Sequence, residues 1–171
     1  MTTDLITVRP AIADDALAAA TVVCAARDTW AEWAGDALEP ETPASVLDDW
    51  IARIGDPMKT TCVAVDRYGV VGVVSYSAEA DSSAPHSGGP TSGHLSMLFV
   101  LPECHGHGVA DQLHASMCED LDGRGFTSIR LRVPAGAAQA RRFYQRNGWE
   151  ETGWSTVRSG LARLEYRRAL P

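Results

Sequence analysis

The sequence predicts a mixed α/β, or α+β, layer fold formed by one domain that spans residues 1–171. Its 171 residues, of which 45% are hydrophobic and 22% are charged, suffice for one substantial core and are too few to indicate a second domain. Short β-branched runs alternate with amphipathic helical stretches in the order βααββ, a loop, and then βαβαββ. Two pairs of predicted strands are separated only by a short turn, which is typical of hairpins.

The first strand and the first helix follow from alternation and a cap. Ile6 and Val8 alternate with polar residues before Pro10, as in a short strand. Asp14 or Asp15 is expected to cap the helix that follows. The buried face of this helix is predicted to carry Leu17, Ala20, Thr21 and Cys24.

A second amphipathic helix and a hairpin are predicted next. Thr42 and Pro43 supply an N-cap and a first helical position, and Gly55 ends the pattern. The apolar positions of this helix recur at helical spacing: Leu47, Trp50, Ile51 and Ile54. The β-branched runs at 61–65 and 70–76, joined by a short turn, then predict two antiparallel strands.

The second half of the chain begins with a loop and continues as strands that alternate with helices. Residues 78–93 are rich in Ser, Gly, Pro and Asp and are expected to form a mobile loop. A strand over 94–101 precedes a helix whose apolar residues recur at every fourth position, namely Val109, Leu113, Met117 and Leu121. The remaining predicted elements are a strand over 128–133, a helix over 137–146 and a closing hairpin of strands over 152–157 and 161–168.

Composition and charge argue against several classes of protein. No apolar run approaches the roughly 18 residues that a membrane span needs, and the polar start of the chain lacks the pattern of a secretory signal. A cytoplasmic protein without a membrane partner is therefore expected. The net charge of −7 argues against binding to nucleic acid, which requires clustered Lys and Arg. The four cysteines form no C-x-x-C pair and are expected to be reduced thiols.

The most informative stretch is a turn with two glycines between a strand and a helix. The strand ends at Leu101 and Pro102, and Gly106 and Gly108 precede a helix that begins near Val109. Glycine permits positive φ and close approach of the main chain to a ligand. A helix N-terminus presents unpaired N–H groups and the positive end of the helix dipole. The turn is therefore predicted to bind an anion such as a phosphate.

Two segments together resemble the GNAT superfamily of acyl-CoA-dependent N-acyltransferases. In the first, His105, Gly108 and Ala110 occupy positions of the family's pyrophosphate loop, in which an Arg or Gln is followed by x-x-Gly-x-Gly/Ala. In the second, residues 140–149, which read Ala-Arg-Arg-Phe-Tyr-Gln-Arg-Asn-Gly-Trp, are similar to the family's A-x-x-F-Y-x-x-x-G-F segment. Each segment alone is typical of an ordinary turn or a core helix, so the resemblance depends on their occurring together.

The resemblance implies a mixed, mostly antiparallel sheet flanked by helices, with acetyl-CoA as co-substrate and no metal. The main chain of the strand would pair with the pantetheine arm, and the turn would bind the pyrophosphate. The cofactor-binding positions implied in this way are Leu98, Phe99, Val100, His105, Gly106, His107, Gly108, Val109 and Ala110. Ala137 stands where the family commonly has an Asn, so one polar contact to the cofactor is either absent or supplied by another residue.

The resemblance also implies two catalytic groups. Tyr144 matches the residue that protonates the departing CoA thiolate after an amine attacks the thioester, and it is expected to contact the cofactor as well. The family often places a Glu near the start of the strand, where this chain has His94 and Ser96. His94 is a candidate general base, directly or through water. The alternative for His94 is a half-buried strand residue with a satisfied hydrogen bond.

The predicted function is transfer of an acetyl group from acetyl-CoA to a primary amine by direct attack in a ternary complex. The acceptor, which is either a small molecule or a protein amine, stays open. One alternative is a noncatalytic acyl-CoA-binding sensor on the same fold. A less favoured alternative is a transition-metal site formed by Cys104, His105, His107 and His114.

Two further groups of residues have more than one interpretation. Trp30, Trp33 and Trp50, on or after the two early helices, fit the wall of an acceptor pocket, the core, or a contact in a homodimer. Polar residues of the predicted loop fit either contacts to the acceptor or a solvated linker: Glu79, Asp81 and His86.

Overall fold

The computed structural model describes residues 5–78 and 92–171. Within these residues the strands are β1 (Thr7–Pro10), β2 (Lys59–Asp66), β3 (Gly69–Ala78), β4 (Ser92–Val100), β5 (Ser128–Pro134), β6 (Glu150–Arg158) and β7 (Leu161–Ala169). The helices are α1 (Ala16–Asp28), α2 (Ala31–Ala34), α3 (Leu47–Gly55), α4 (Val109–Gly123) and α5 (Ala138–Arg146). The strands form one sheet with the order β1-β2-β3-β4-β5-β7-β6. Neighbouring strands are antiparallel except β4 and β5, which are parallel. This mixed, mostly antiparallel sheet with flanking helices confirms the predicted fold class.

Each face of the sheet is covered by helices. On one face, α1 and α3 pack on the central strands, where Trp50 contacts the cluster that contains Val63 and Val73. On the other face, α4 and α5 pack in a larger cluster around Tyr76 and Ile129. Because strand side chains alternate between faces, neighbouring residues of β2 and β3 serve the two clusters in turn.

The apolar stripe predicted for α4 is confirmed. Its four residues, Val109, Leu113, Met117 and Leu121, are at most 1% exposed. The helix lies close to the sheet because two strand positions are glycine. A Cβ at Gly72 would lie 2.9 Å from Leu113 and 3.0 Å from Val109, and a Cβ at Gly93 would lie 3.0 Å from Leu121.

The predicted buried face of α1 is partly wrong. Leu17 is 53% exposed, and Thr21 is exposed with its hydroxyl bonded to the Leu17 carbonyl. The helix instead buries seven residues, most of them small: Ala16, Ala19, Ala20, Val22, Val23, Cys24 and Ala26. Because these side chains are small, α1 can lie close to the sheet on this face. Leu17 lies on another face of the helix and stays in solvent. Of the four predicted positions, Ala20 and Cys24 are therefore the buried ones.

Two predicted caps also differ from the structure. Asp15 occupies the N-cap position of α1, but its carboxylate accepts hydrogen bonds from the Arg9 guanidinium at 2.7 and 2.8 Å and from the Ile12 N–H at 2.9 Å. The Arg9 guanidinium lowers the pKa of Asp15 below its ordinary value, with the Ile12 N–H contributing further. Thr42 caps an isolated turn by accepting from the Ser45 N–H, and α3 begins only at Leu47.

The boundaries of the predicted 78–93 loop are narrower than expected. Ala78 belongs to β3, and Ser92 and Gly93 belong to β4. The segment between them, with Glu79, Asp81 and His86, lies outside the described residues. The short helix α2 was not predicted.

The sheet divides in its centre where β4 and β5 diverge. The two strands pair from Ser92 and Ser128 as far as Leu95 and Leu131, while β4 stays paired to β3 up to Val100. The register with β3 shifts between Leu95 and Met97, so Ser96 is the extra residue of a β-bulge. The bulge bends β4 away from β5 and leaves one edge of its second half without a strand partner among the described residues.

No helix in the described parts of the chain is both long enough and apolar enough to cross a membrane.

Candidate active site

The gap between β4 and β5 lies within a cleft of about 1420 Å³. Its walls come from both faces of the sheet. One side is formed by α1, α2 and α3 with the turn between β6 and β7, and the other by the start of α4 and by α5. The cleft therefore connects the two faces of the sheet at the point where the strands separate.

The floor of the cleft is the free edge of β4. Residues 95–100 line it, and Met97, Leu98 and Phe99 are half-buried. Met97 and Phe99 face the α1 side, whereas Leu98 and Val100 face the α4 side. An extended ligand could pair with this main chain as an added strand does.

The glycine turn has the backbone conformation that the sequence predicts. Gly106 has φ +79° and Gly108 has φ +78°, and Gly108 is the N-cap of α4. A Cβ at either glycine would meet nothing within 4 Å, so the main chain of the turn borders open space. The N–H groups of Val109 and Ala110 begin the helix and have no intrahelical acceptor. The turn can therefore present several N–H groups to an anion.

His105 lines the cleft but is already bonded on both ring nitrogens. Its Nε2 lies 3.2 Å from the Val100 carbonyl oxygen, and its Nδ1 lies 3.2 Å from Nε2 of Gln139. These contacts fit the tautomer that donates from Nε2 and accepts at Nδ1. His105 thus connects the end of β4 to α5. Gln139 was not predicted as a site residue; it lies two positions after Ala137 and puts an amide into the cleft.

Tyr144 on α5 lines the cleft and is 8% exposed. The rings of Phe143 and Trp149 pack against it at 5.4 and 5.6 Å between centroids. Burial raises the pKa of the Tyr144 phenol well above its ordinary value. Its hydroxyl forms no hydrogen bond with a described residue, so a protonated O–H is available to a ligand in the cleft.

His94 lies at the edge of this arrangement. It pairs with Ser77 on β3 and Arg130 on β5, and it is half-buried. Its Nδ1 is 3.5 Å from the Ser96 hydroxyl oxygen, as expected for residues on one face. Ser96 lines the cleft and His94 does not. A proton taken from a group in the cleft would reach His94 through Ser96 or water.

The residues considered for a transition-metal site do not converge. His114 is 3% exposed, and its Nε2 accepts from the Trp149 indole N–H at 2.9 Å. Burial, with a smaller effect of the nearby Arg168 cation, lowers the pKa of His114 from 6.5 to about 4. Over residues 5–78 and 92–171, no three His, Cys, Asp or Glu side chains are grouped so that they could hold a metal ion.

Aromatic residues form the wall on the α1 side. Trp30, Trp33 and Trp50 all line the cleft. The rings of Trp30 and Trp33 are 5.3 Å apart, and Trp30 is 5.8 Å from Phe99 of β4. Trp33 also lies on Gly136, where a Cβ would be 2.4 Å from its ring. Trp50 is 4% exposed and belongs to the core as well.

Charged residues in the same wall were not predicted from the sequence. Arg27, Arg158 and Arg163 line the cleft although they lie far apart in the chain. Arg27 forms an ion pair with Glu41. No local signal marks Arg158 and Arg163, because basic residues in a terminal hairpin are usually solvent-exposed. Only the position of β7 between β5 and β6 brings them to the cleft.

Comparison with known proteins identifies the family. Residues 26–149 match the model of the acetyltransferase (GNAT) family, so the chain belongs to this family, as its two motifs predicted. The search of curated proteins gives no match.

Solved structures with the same fold come from several organisms. An acetyltransferase of the GNAT family from Desulfovibrio desulfuricans is 18% identical, with a TM-score of 0.75 over 98% of this chain and 100% of that one. The PaiA N-acetyltransferase from Thermoplasma acidophilum, solved with coenzyme A, is 15% identical, with a TM-score of 0.70 over 96% and 99%. A GCN5-related N-acetyltransferase from Kribbella flavida is 22% identical, with a TM-score of 0.70 over 96% and 98%.

Proposed function

We propose that residues 1–171 form one N-acetyltransferase domain that transfers an acetyl group from acetyl-CoA to a primary amine. The observation that carries this proposal is the unpaired edge of β4 at Leu98–Val100, in a cleft that is also lined by Tyr144 and by the two ends of the glycine turn, His105 and Ala110. A thioester carrier with a diphosphate needs these three features in one cleft. Membership of the GNAT family supports the same activity.

The residues present fit the parts of acetyl-CoA. The free main chain of Leu98, Phe99 and Val100 would pair with the amides of the pantetheine arm. The N–H groups of the turn from His105 to Ala110, including Gly106, His107, Gly108 and Val109, would bind the diphosphate. Coenzyme A in the Thermoplasma acidophilum structure of the same fold supports this choice of co-substrate. Gln139 is suited to supply the polar contact that Ala137 lacks.

Tyr144 acts as the general acid in this proposal. When bound, acetyl-CoA supplies a thioester that an amine attacks directly, so that an N–C bond forms and the C–S bond breaks with both electrons on sulfur. Tyr144 donates its O–H proton to that sulfur, and the attacking nitrogen releases its surplus proton to the solvent from which Tyr144 regains a proton. Burial keeps the phenol protonated until a thiolate appears, and burial of the thiolate raises its affinity for the proton in the same way.

His94 acts as the general base, with Ser96 or water between it and the amine. The ammonium form of a primary amine has no free electron pair and must lose a proton before it attacks. The contact between His94 and Ser96 gives a route for that proton out of the cleft. His94 is therefore a positioning and proton-accepting residue at the edge of the site.

A thiol-release assay tests the proposed function. The purified chain is mixed with acetyl-CoA and a broad panel of primary amines, and binding of coenzyme A is measured separately by calorimetry. Amine-dependent thiol release above the rate of thioester hydrolysis is expected. Tight binding of coenzyme A without release for any amine would favour the noncatalytic sensor, and absence of coenzyme A binding would exclude both functions.

A further inference from the structure

Two arginines of the cleft wall, Arg158 and Arg163, lie close enough for their charges to repel each other. Arg158 ends β6 and Arg163 is near the start of β7. Neither forms an ion pair with a residue in the described parts of the chain. Arg163 is half-buried, and its Nε is enclosed without a hydrogen-bond partner. An enclosed N–H donor without an acceptor is costly, and an acceptor oxygen in the cleft would satisfy it.

The electrostatic environment of Arg163 also favours an anion beside it. Burial lowers its pKa, and the neighbouring cations Arg158 and Arg27 lower it further. The Arg27 charge is offset by Glu41, whereas the other two arginines add their charges at one end of the cleft. An anion at this point would relieve both the desolvation and the repulsion.

The position of Arg163 separates it from the glycine turn. On β7, Leu164 and Tyr166 point to the cluster beneath α4 and α5, so Arg163 points to the opposite face, where α1 lies. The adjoining β6–β7 turn approaches the segment after α2, since a Cβ at Gly160 would be 3.7 Å from Ala37. The two arginines therefore belong to the part of the cleft that the tryptophans line.

We propose that the acceptor is an amine with an apolar body and a carboxylate, such as an apolar α-amino acid, and that Arg163, assisted by Arg158, binds the carboxylate. The planar guanidinium matches a carboxylate with two parallel hydrogen bonds. Trp30, Trp33 and Phe99 would cover the apolar body. This inference rests on the proposed acetyl transfer and names the class of its acceptor.

The experiment uses pairs of acceptors that share a side chain and differ in the anion, with rates expressed per free amine because a carboxamide lowers the basicity of the neighbouring amino group. L-phenylalanine, L-tryptophan and L-methionine are compared with their carboxamides as acceptors of acetyl-CoA. The variants are Arg163→Gln and Arg163→Lys, and Arg167→Gln is the matched control because it lies exposed on the same strand outside the cleft. Binding of each acceptor to the CoA-bound protein is measured in parallel by calorimetry.

The wild-type chain is expected to prefer at least one acid over its amide in kcat/KM. Arg163→Gln should reduce kcat/KM for the acid by about 10- to 100-fold with little effect on the amide. The kcat/KM of Arg163→Lys for the acid should lie between those of the wild type and Arg163→Gln, since lysine keeps the positive charge and loses the two parallel hydrogen bonds of a guanidinium. Arg167→Gln should match the wild type. Equal use of acids and amides by the wild type, or an unchanged acid-to-amide ratio in Arg163→Gln, would overturn the inference.

Two further measurements identify the anion that Arg163 binds and keep the acceptor class separate from the transfer itself. A second source of anion is the 3′-phosphate of coenzyme A, so CoA and dephospho-CoA are titrated into wild type and Arg163→Gln. If the variant loses preference for CoA over dephospho-CoA, Arg163 belongs to the cofactor and the inference is wrong. If no amine is acetylated, the proposed transfer fails, and the calorimetric titrations still decide whether acids bind in preference to amides through Arg163.

Discussion

Tyr144 joins two properties that rarely occur together in a core residue. Its ring is packed between Phe143 and Trp149, yet its hydroxyl faces the cleft without a partner in the described parts of the chain. A buried hydroxyl normally finds a hydrogen bond, because its desolvation is otherwise uncompensated. The packing fixes the ring, and the free O–H is left for the ligand.

Tyr144→Phe is expected to lower kcat by at least about 100-fold, since it removes the proposed general acid. The affinity for coenzyme A and the melting temperature should stay close to the wild-type values, because the ring remains and no protein hydrogen bond is lost. Steady-state kinetics, calorimetry and thermal unfolding check the three quantities. Tyr76→Phe is the matched control: its hydroxyl bonds Asp120 away from the cleft, so this change should lower stability and spare kcat.

His94→Ala is expected to flatten the fall of kcat/KM toward acidic pH. A protonated imidazole cannot accept the proton of the acceptor ammonium, so activity that depends on His94 is lost as the ring becomes charged. The measurement is a pH profile of kcat/KM for the best acceptor, with Ser96→Ala beside it. A profile that keeps its shape in His94→Ala would remove this residue from the mechanism.

At the scale of elements, α4 links the fold to the site. Its first turn carries the N–H groups of the proposed diphosphate site, and its buried stripe rests on β3 and β4 where glycines admit it closely. The position of those N–H groups therefore depends on how near the helix approaches the sheet. A displacement of α4 should therefore weaken cofactor binding more than it disturbs the position of Tyr144.

Gly72→Ala is expected to lower the free energy of unfolding by about 1–3 kcal/mol, because the new methyl group meets Leu113 and Val109 at the start of α4. The dissociation constant for coenzyme A should rise in the same variant. Urea unfolding and calorimetry measure the two effects. Gly123→Ala, at the far end of the same helix with nothing within 4 Å, should be neutral or slightly stabilising. Equal effects of both substitutions would contradict the close-approach argument.

At the scale of the whole molecule, a buried polar group connects three parts of the fold. His114 on α4 accepts from Trp149, which precedes β6, and lies 3.2 Å from the Arg168 guanidinium on β7. Both partners are donors, so Nε2 must carry no proton and the imidazole must be neutral. Its protonation is incompatible with this packing, which ties the stability of the molecule to pH.

The free energy of unfolding is expected to fall as the pH drops from 6.5 toward 4. The unfolded chain binds a proton at His114 near pH 6.5, whereas the folded chain resists it until about pH 4. Since the unfolded state holds more protons in this window, acid favours it, by about 3 kcal/mol at the lower limit. Above pH 7 the group is neutral in both states and has no effect.

Urea unfolding of the wild type and His114→Gln between pH 7.5 and 4.5 measures this dependence. The glutamine can still accept from Trp149 and cannot be protonated, so its curve should be flatter. The lowered pKa of Asp15 places its own contribution below this window. Parallel curves for the two proteins would show that His114 is not the group responsible.

Local patterns predicted much of the fold and the conformation of the turn that forms the proposed diphosphate site. Some features depend only on neighbours within a few residues, namely the stripe of α4, the two hairpins and the glycine turn. Alternation, helical spacing and the positions of glycine were therefore sufficient to predict them. The buried face of α1 was mispredicted because an alanine-rich helix is apolar on more than one side. Its contacts with the sheet, rather than its own pattern, decided that Leu17 stays in solvent.

The sequence by itself determined the family, the order of the strands and of the longer helices, and the segments suited to a diphosphate and to the proposed general acid. Each of these depends on contiguous residues. The tertiary structure alone decided where the sheet splits, because the bulge at Ser96 exists only in the register with β3. It also decided that Arg158 and Arg163 join Arg27 in one cleft. Their meeting depends on β7 pairing between β5 and β6, a long-range contact that no local pattern encodes.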